Sequence, residues 1–87
     1  MRLLSMAALL VFASLSAPVA RAQDCQSLWV ERNTYYKQAG YCFRTPRAIA
    51  YFGNEGCYRN SEPPFPPNIR ARIQRLLALE RAMGCPR

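Results

Sequence analysis

The chain is short and basic, with 87 residues, twelve Lys and Arg against five Asp and Glu, and a formal net charge of +7. It contains no histidine, which excludes histidine-based acid–base catalysis and histidine ligands for a metal. The length allows one small domain.

Residues 1–22 have the three parts of a secretory signal peptide. A positively charged start precedes an apolar run over residues 3–17, and Ala20-Arg21-Ala22 places small residues at positions −3 and −1 of a cleavage site. A membrane anchor is the alternative, but the run is shorter than the roughly 20 apolar residues that span a bilayer. We expect cleavage before Gln23, which leaves a 65-residue domain over residues 23–87 with a net charge of +5.

The stretch LWVERNTYYKQAGYCF, residues 28–43, predicts an amphipathic helix that ends at Gly40 and leads into a short extended segment. Asp24 is the candidate N-cap. Five residues at helical spacing share one face: Leu28, Arg32, Tyr35, Tyr36 and Ala39. Because Arg32 and Asn33 lie near this face, we expect them to bond locally, to backbone groups of the turn that follows the helix.

Thr45-Pro46 predicts the start of a second, short helix with Ile49 and Phe52 turned inward. Residues 53–56 contain two glycines and predict the turn that ends it. Residues 59–67 are rich in proline, which predicts a stiff connector, with a ligand for a proline-recognising groove as the alternative.

The third helix has the clearest pattern, with Asn68 as its candidate cap, Gly84 as its end and Pro86 preventing continuation. Six residues at helical spacing form its apolar stripe, in which only Glu80 is polar: Ile69, Ile73, Leu76, Leu77, Glu80 and Met83. Together the elements predict a small, mostly α, disulfide-stabilised domain of about three helices, with a short extended segment after the first.

Four cysteines within residues 23–87 predict two disulfides, because a secreted domain of 65 residues buries too little surface to be stable without cross-links. Four cysteines allow three pairings, and the sequence alone does not choose among them. Antiparallel packing of the first and last helices would bring Cys25 next to Cys85, while Cys42 and Cys57 flank the second helix, so this pairing is favoured. The intervening stretches of 16, 14 and 27 residues do not fit the close pairs of a zinc site, and we expect no metal.

Motifs of enzymes are missing from the sequence: there is no phosphate loop, no nucleotide fingerprint and no G-x-S-x-G elbow. Glu31 and Glu55 could form a general acid–base pair if the fold joined them, but nothing in the sequence indicates that it does. We therefore expect a protein that is not an enzyme and that has no cofactor.

Arginine supplies nine of the ten positive charges in residues 23–87 and suits bidentate contact with carboxylate or phosphate. In an exported protein the available polyanions are lipid head groups, lipopolysaccharide phosphates and acidic wall polymers, and nucleic acid is not expected as a partner. The candidate anion-binding residues are Arg70, Arg72 and Arg75. The alternative is a solvated basic face without a ligand.

Residues 32–43 resemble the motif of the YARHG domain family, approximately R-N-x-I-Y-A-R-H-G-Y-x-F. Six residues match it: Arg32, Asn33, Tyr36, Gly40, Tyr41 and Phe43. Tyr35 replaces an aliphatic residue, Lys37-Gln38-Ala39 replaces the Ala-Arg-His triplet, and Tyr51-Phe52 and Tyr58 are similar to later family positions. The resemblance covers about 30 residues; the cysteine frame and the last helix lie outside it.

This resemblance implies an extracytoplasmic, non-catalytic module, located in the periplasm or secreted. The six matching residues are interpreted as a structural corner, with ligand binding as the alternative. The leading hypothesis is a binding or accessory module of the bacterial cell envelope, acting on an envelope component or an envelope protein. The alternative is a cationic membrane-active protein whose last helix lies on anionic lipid. The oligomeric state is left open.

Overall fold

The computed structural model describes residues 24–86 and contains three helices in that range: α1 (Cys25–Gln38), α2 (Pro46–Phe52) and α3 (Pro67–Ala82). The predicted mostly helical class is confirmed. Within the same range there is no strand, and a single isolated bridge joins Tyr41 to Arg59. The predicted signal peptide, residues 1–22, lies outside the described residues.

Both ends of α1 are fixed by the residues that the sequence singled out. The Asp24 carboxylate accepts a hydrogen bond of 2.7 Å from the Ser27 backbone N–H, which satisfies one of the free donors at the helix start. The helix gives way to Gly40, whose φ of +81° lies in the left-handed region that glycine tolerates. The ring of Tyr58 packs against Gly40, where a Cβ atom would overlap it.

The second helix begins as predicted but turns a different side inward. Pro46 is its first residue, and the Thr45 hydroxyl accepts from the Ala48 N–H at 3.2 Å. Ala48 is buried and Phe52 half-buried, whereas Ile49 is 42% exposed, so the predicted inward position of Ile49 is wrong. Residues 48 and 52 are one helical turn apart and share a face, and residue 49 lies about 100° round the helix from them.

The third helix begins one residue before its predicted cap. Its N-cap is Pro66, whose carbonyl accepts from the N–H groups of Ile69 and Arg70 at 3.1 and 2.9 Å. No side chain caps this end, so the prediction of Asn68 as the cap is wrong. Pro67 explains the difference, because a proline is favourable at the first helical position and moves the helix start back to it.

Helices α1 and α3 pack against each other in antiparallel orientation, with Ile73 and Leu76 of α3 only 2% and 0% exposed. A disulfide between Cys25 and Cys85 joins the start of α1 to the segment that follows α3. This bond closes a separation of 60 residues and stabilises by about 4 kcal/mol in the chain-entropy estimate.

A second core lies on the other side of α1, where Trp29, Phe43 and Ala48 form a buried cluster. The Cys42–Cys57 disulfide holds the extended segment after α1 against the loop that follows α2. It closes a separation of 15 residues, worth about 3 kcal/mol by the same estimate. Both pairings are those favoured from the sequence.

Candidate functional site

One face of the molecule carries a groove of about 400 Å³ between α1, the extended segment after it and the start of α2. Five of the six motif residues line it: Arg32, Asn33, Tyr36, Tyr41 and Phe43. Trp29 and Ala48 contribute apolar surface, and Arg44, Thr45, Arg47 and Glu62 complete the lining. We call this surface the motif groove.

Two of the motif side chains are held by bonds different from those predicted. Arg32 binds Glu80 of α3 through two hydrogen bonds, Nε to Oε2 at 2.6 Å and a terminal nitrogen to Oε1 at 2.9 Å. Asn33 donates to the Trp29 carbonyl at 3.0 Å. The prediction that Arg32 and Asn33 hold the turn after α1 is therefore wrong. The long arginine side chain reaches across to the neighbouring helix, and the short asparagine side chain reaches only one turn back along its own helix.

Asn54 and Arg59, which the sequence analysis did not select, hold that turn. The Phe43 N–H donates to Asn54 Oδ1 at 2.7 Å, and Asn54 Nδ2 donates to the Phe43 carbonyl at 2.9 Å. Arg59 Nε donates to the Ala39 carbonyl at 3.0 Å. Asn54 has an available sequence signal: it follows a glycine in a predicted turn, where asparagine side chains often replace backbone partners.

Tyr36 is the centre of the groove's aromatic wall. Its ring centroid lies 5.2 Å from that of Tyr41 and 5.0 Å from that of Phe65, both edge to face. Its hydroxyl contacts both carboxylate oxygens of Glu62, at 3.0 and 2.9 Å. Burial, and then the hydrogen bond and charge of Glu62, raise the pKa of Tyr36 to about 12. The phenol is neutral at physiological pH and donates to the carboxylate.

Two exposed arginines lie at the edge of the motif groove. The Arg47 guanidinium lies 3.8 Å from the centroid of the Trp29 ring, a cation–π distance, and donates to Gln26 Oε1 at 2.6 Å. Arg44 donates to the Asn60 carbonyl at 2.5 Å. Across residues 24–86, neither arginine has a carboxylate within ion-pair distance. Their positive charges are not neutralised by the fold.

The arginines predicted as anion-binding residues on α3 are mostly used inside the molecule. Arg72 binds Glu31 through two hydrogen bonds of 2.7 and 2.9 Å, and Arg70 donates to the Phe65 carbonyl at 2.8 Å. Arg75 is exposed. The hydrogen bond from Arg72 lowers the pKa of Glu31, against a smaller opposing effect of burial, and raises the pKa of Arg72 itself. The structure does not gather these three arginines into one free cluster.

The remaining candidate groups are the cysteines and the glutamates. All four cysteines are bonded, and the described residues contain no cluster of side chains suited to hold a metal. Glu55 is exposed in the turn after α2, and within residues 24–86 the hydrogen-bond partners of the Glu31 side chain are Arg72 and Tyr35, not Glu55. The fold does not pair the two glutamates through direct contact.

Comparison with protein families matches residues 6–81 to the YARHG domain. The match begins inside the predicted signal peptide and takes in α1, α2, three of the four cysteines and almost all of α3. The expectation that the cysteine frame and the last helix lie outside the family is therefore wrong for all but Cys85. Comparisons with curated proteins and with solved structures found no match.

Proposed function

Because the chain belongs to the YARHG domain family, we propose that it is an exported, non-enzymatic binding or accessory module of the bacterial cell envelope, and that the motif groove is its binding surface. The observation that carries the proposal is the convergence of five motif residues on one groove that has two unpaired arginines at its edge. A groove of about 400 Å³ lies within the usual range for small-ligand sites.

Export is supported by the predicted signal peptide and by the two disulfides. Disulfides persist in oxidising compartments and are rare in the cytosol. The Cys25–Cys85 bond joins the two ends of the described domain, and the Cys42–Cys57 bond joins the segment after α1 to the loop after α2. Loss of both bonds in the reducing cytosol would remove a large part of the stability. The periplasm and the cell exterior both meet this requirement.

A non-enzymatic role is supported by the state of the glutamates. Glu31 is bound by Arg72, and its pKa is lowered, so it is ionised at neutral pH and cannot act as a general acid. The Glu62 carboxylate accepts from the Tyr36 hydroxyl, and among the described residues that line the motif groove there is no second carboxylate to form an acid–base pair with it. Binding is the chemistry that the remaining exposed polar groups of the motif groove support.

The structural and ligand-binding interpretations of the motif are compatible. Arg32 joins α1 to α3, Asn33 bonds one turn back within α1, and the Phe43 backbone joins the extended segment to Asn54 in the turn after α2. Their other surfaces line the groove, whose free charges come from Arg44 and Arg47 outside the matching motif positions. In this proposal the motif shapes the groove, and the residues that follow it bind the ligand.

The membrane-active alternative requires the apolar stripe of α3 to face lipid. Ile73 and Leu76 are buried, and Ile69 and Leu77 are half-buried. The stripe cannot enter a bilayer unless α3 separates from α1, which the Cys25–Cys85 bond restrains. Within residues 24–86 no helix has the length and apolar character to cross a membrane. The burial of the stripe favours the binding module over the membrane-active protein.

The proposal has a direct test in two parts. Peptide mapping without reduction is expected to find an exported chain beginning at Gln23, with both disulfides formed. The purified protein is then expected to sediment with isolated envelope fractions, and the charge-removing variant R44Q/R47Q to do so much less. R75Q/R81Q, which removes the same charge from the exposed side of α3, is the matched control. Cytosolic retention, or no sedimentation with any envelope fraction, would refute the proposed function.

A further inference from the structure

Resting on that proposed function, we propose that the motif groove binds a short acidic peptide. The carboxylates of the peptide contact Arg44 and Arg47, and its N–H or ammonium donors contact Glu62. The three residues line one groove, which therefore presents both positive and negative charge to a ligand. The ligand is thereby required to carry both an anion and a hydrogen-bond donor.

We infer that the ligand carries an anion because the fold leaves two positive charges of the groove unpaired. Arg32 also lines the groove, but its charge is neutralised by two hydrogen bonds to Glu80. Arg44 and Arg47 donate only to neutral oxygens, those of the Asn60 carbonyl and the Gln26 amide. A guanidinium has five donors, so each arginine keeps donors for a ligand carboxylate.

We infer that the ligand also carries a hydrogen-bond donor because Glu62 offers it an acceptor. Its carboxylate accepts from the Tyr36 hydroxyl and, with further lone pairs, can accept from a ligand. The same negative charge repels a doubly charged phosphate group, because like charges at one site raise each other's energy. A peptide supplies carboxylates and N–H groups together, whereas the dianion of a phosphate monoester supplies only acceptors. The combination therefore favours an acidic peptide over a phosphorylated head group.

The packing of the aromatic residues disfavours a carbohydrate ligand, which would stack a sugar ring on an open aromatic face. The guanidinium of Arg47 covers one face of Trp29 at 3.8 Å. Tyr36 and Tyr41 are packed edge to face, and Tyr41 packs in the same way against Phe43, with centroids 5.2 and 5.4 Å apart. These rings are occupied by one another, and the groups left to recognise a ligand are charged and hydrogen-bonding.

The test is isothermal titration calorimetry with the peptide Ala-Glu-Ala-Glu, which has a free amino terminus. The wild-type protein is expected to bind it and to bind Ala-Gln-Ala-Gln at least about tenfold more weakly. R44Q/R47Q is expected to lose about tenfold in affinity or more, since charge-assisted bonds are the stronger ones. R75Q/R81Q is expected to stay within about twofold. Calorimetry is used because R47Q itself changes the surroundings of Trp29, which makes fluorescence ambiguous.

Three other probes identify the wrong ligand class: inorganic phosphate, vesicles of anionic phospholipid, and trigalacturonate, which has carboxylates but no N–H. Binding of any of them as tight as that of the acidic peptide would overturn the proposal. E62Q is expected to weaken the peptide complex severalfold and to leave phosphate binding no weaker. Equal losses in R44Q/R47Q and R75Q/R81Q would also overturn it, because net charge alone would then explain binding.

The failure of this inference can be told apart from the failure of the proposed function. Envelope sedimentation that R44Q/R47Q reduces, together with no binding of Ala-Glu-Ala-Glu, would reject the acidic peptide and keep the envelope module. Peptide binding with no envelope sedimentation would reject the envelope role and keep the peptide site. Circular dichroism of each variant establishes that the fold is intact before either comparison is made.

Discussion

The ion pair between Arg32 and Glu80 gives the sharpest test of how this domain is held together. Glu80 is 1% exposed and the Arg32 side chain 16% exposed, and two hydrogen bonds of 2.6 and 2.9 Å join them. Removing one partner of a buried ion pair leaves an uncompensated charge and costs about 3 to 5 kcal/mol. The whole stability expected for about 65 residues is roughly 3 to 9 kcal/mol, so the loss is large on this scale.

The two single substitutions are expected to differ. Arg32→Met leaves the deeply buried carboxylate of Glu80 without its partner and is expected to cost about 4 kcal/mol. Glu80→Gln leaves the guanidinium of Arg32, which reaches some solvent and keeps a neutral acceptor, and is expected to cost about 2 kcal/mol. Replacing both residues with methionine removes both charges together. This double variant is expected to lie within about 1 kcal/mol of the wild-type protein.

The measurement is urea unfolding followed by far-ultraviolet circular dichroism, with both disulfides intact. The control is the second pair of this kind, Arg72 with Glu31, whose side chains are 39% and 38% exposed. Substitution of Arg72 by methionine is expected to cost less than about 1 kcal/mol, because surface ion pairs contribute little. If R32M and R72M cost the same, or if the double methionine variant were destabilised as much as R32M alone, the reasoning from burial would be refuted.

Three further predictions concern the corner after α1 and the groove wall. Gly40→Ala is expected to lower the free energy of unfolding in urea by about 1 to 2 kcal/mol, because Gly40 has a left-handed φ and an aromatic ring packs against it. Gly56 has a similar φ but open space around it, so Gly56→Ala is expected to cost less. Asn54→Ala is expected to lower the free energy of unfolding by about 1 to 3 kcal/mol and to abolish the hydrogen-exchange protection of the Phe43 amide. Asn54→Asp keeps the acceptor for that amide and is expected to have an intermediate effect. The pKa of Tyr36 is raised to about 12 in the folded protein, whereas a tyrosine in the unfolded chain has a pKa of about 10. The neutral phenol is therefore expected to contribute its full stabilisation below a pH of about 10 and to lose it as the pH rises toward 12. Phenolate absorbance, compared between wild-type, Tyr36→Phe and Glu62→Gln proteins, checks this; an unshifted tyrosine titration would contradict it.

Local features of the fold could be predicted from the sequence. Asp24 and Thr45 are N-caps whose side chains accept hydrogen bonds from backbone N–H groups in the first turn of their helices. Gly40 ends α1 because it adopts a left-handed φ that glycine tolerates. The disulfide pairing was favoured because two helices in one small domain have few ways to pack. Each of these inferences depends on neighbours in the sequence or on the order of the elements.

Apart from the cysteine pairs, the long-range partners of side chains could not be predicted. Arg32 finds its partner 48 residues away, and the identity of that partner depends on the rotation of α3 about its own axis. The polar residue Glu80 in the apolar stripe of α3 was a signal that something opposite it is basic, but several arginines could have met it. The edge of the motif groove was missed for the same reason, because Arg44 and Arg47 become neighbours of Trp29 only after the corner has formed.

The difference between this chain and its family's motif supports the division between a scaffold and a binding edge. Lys37-Gln38-Ala39 replaces the triplet Ala-Arg-His, and none of these three residues lines the motif groove. Lys37 instead donates to the Gly53 carbonyl at 3.2 Å, which ties the last turn of α1 to the end of α2. Five of the six matching motif residues, by contrast, line the groove. The Lys37-Gln38-Ala39 positions, at which this chain departs from the motif, therefore lie outside the groove lining, while five of the matching positions belong to it.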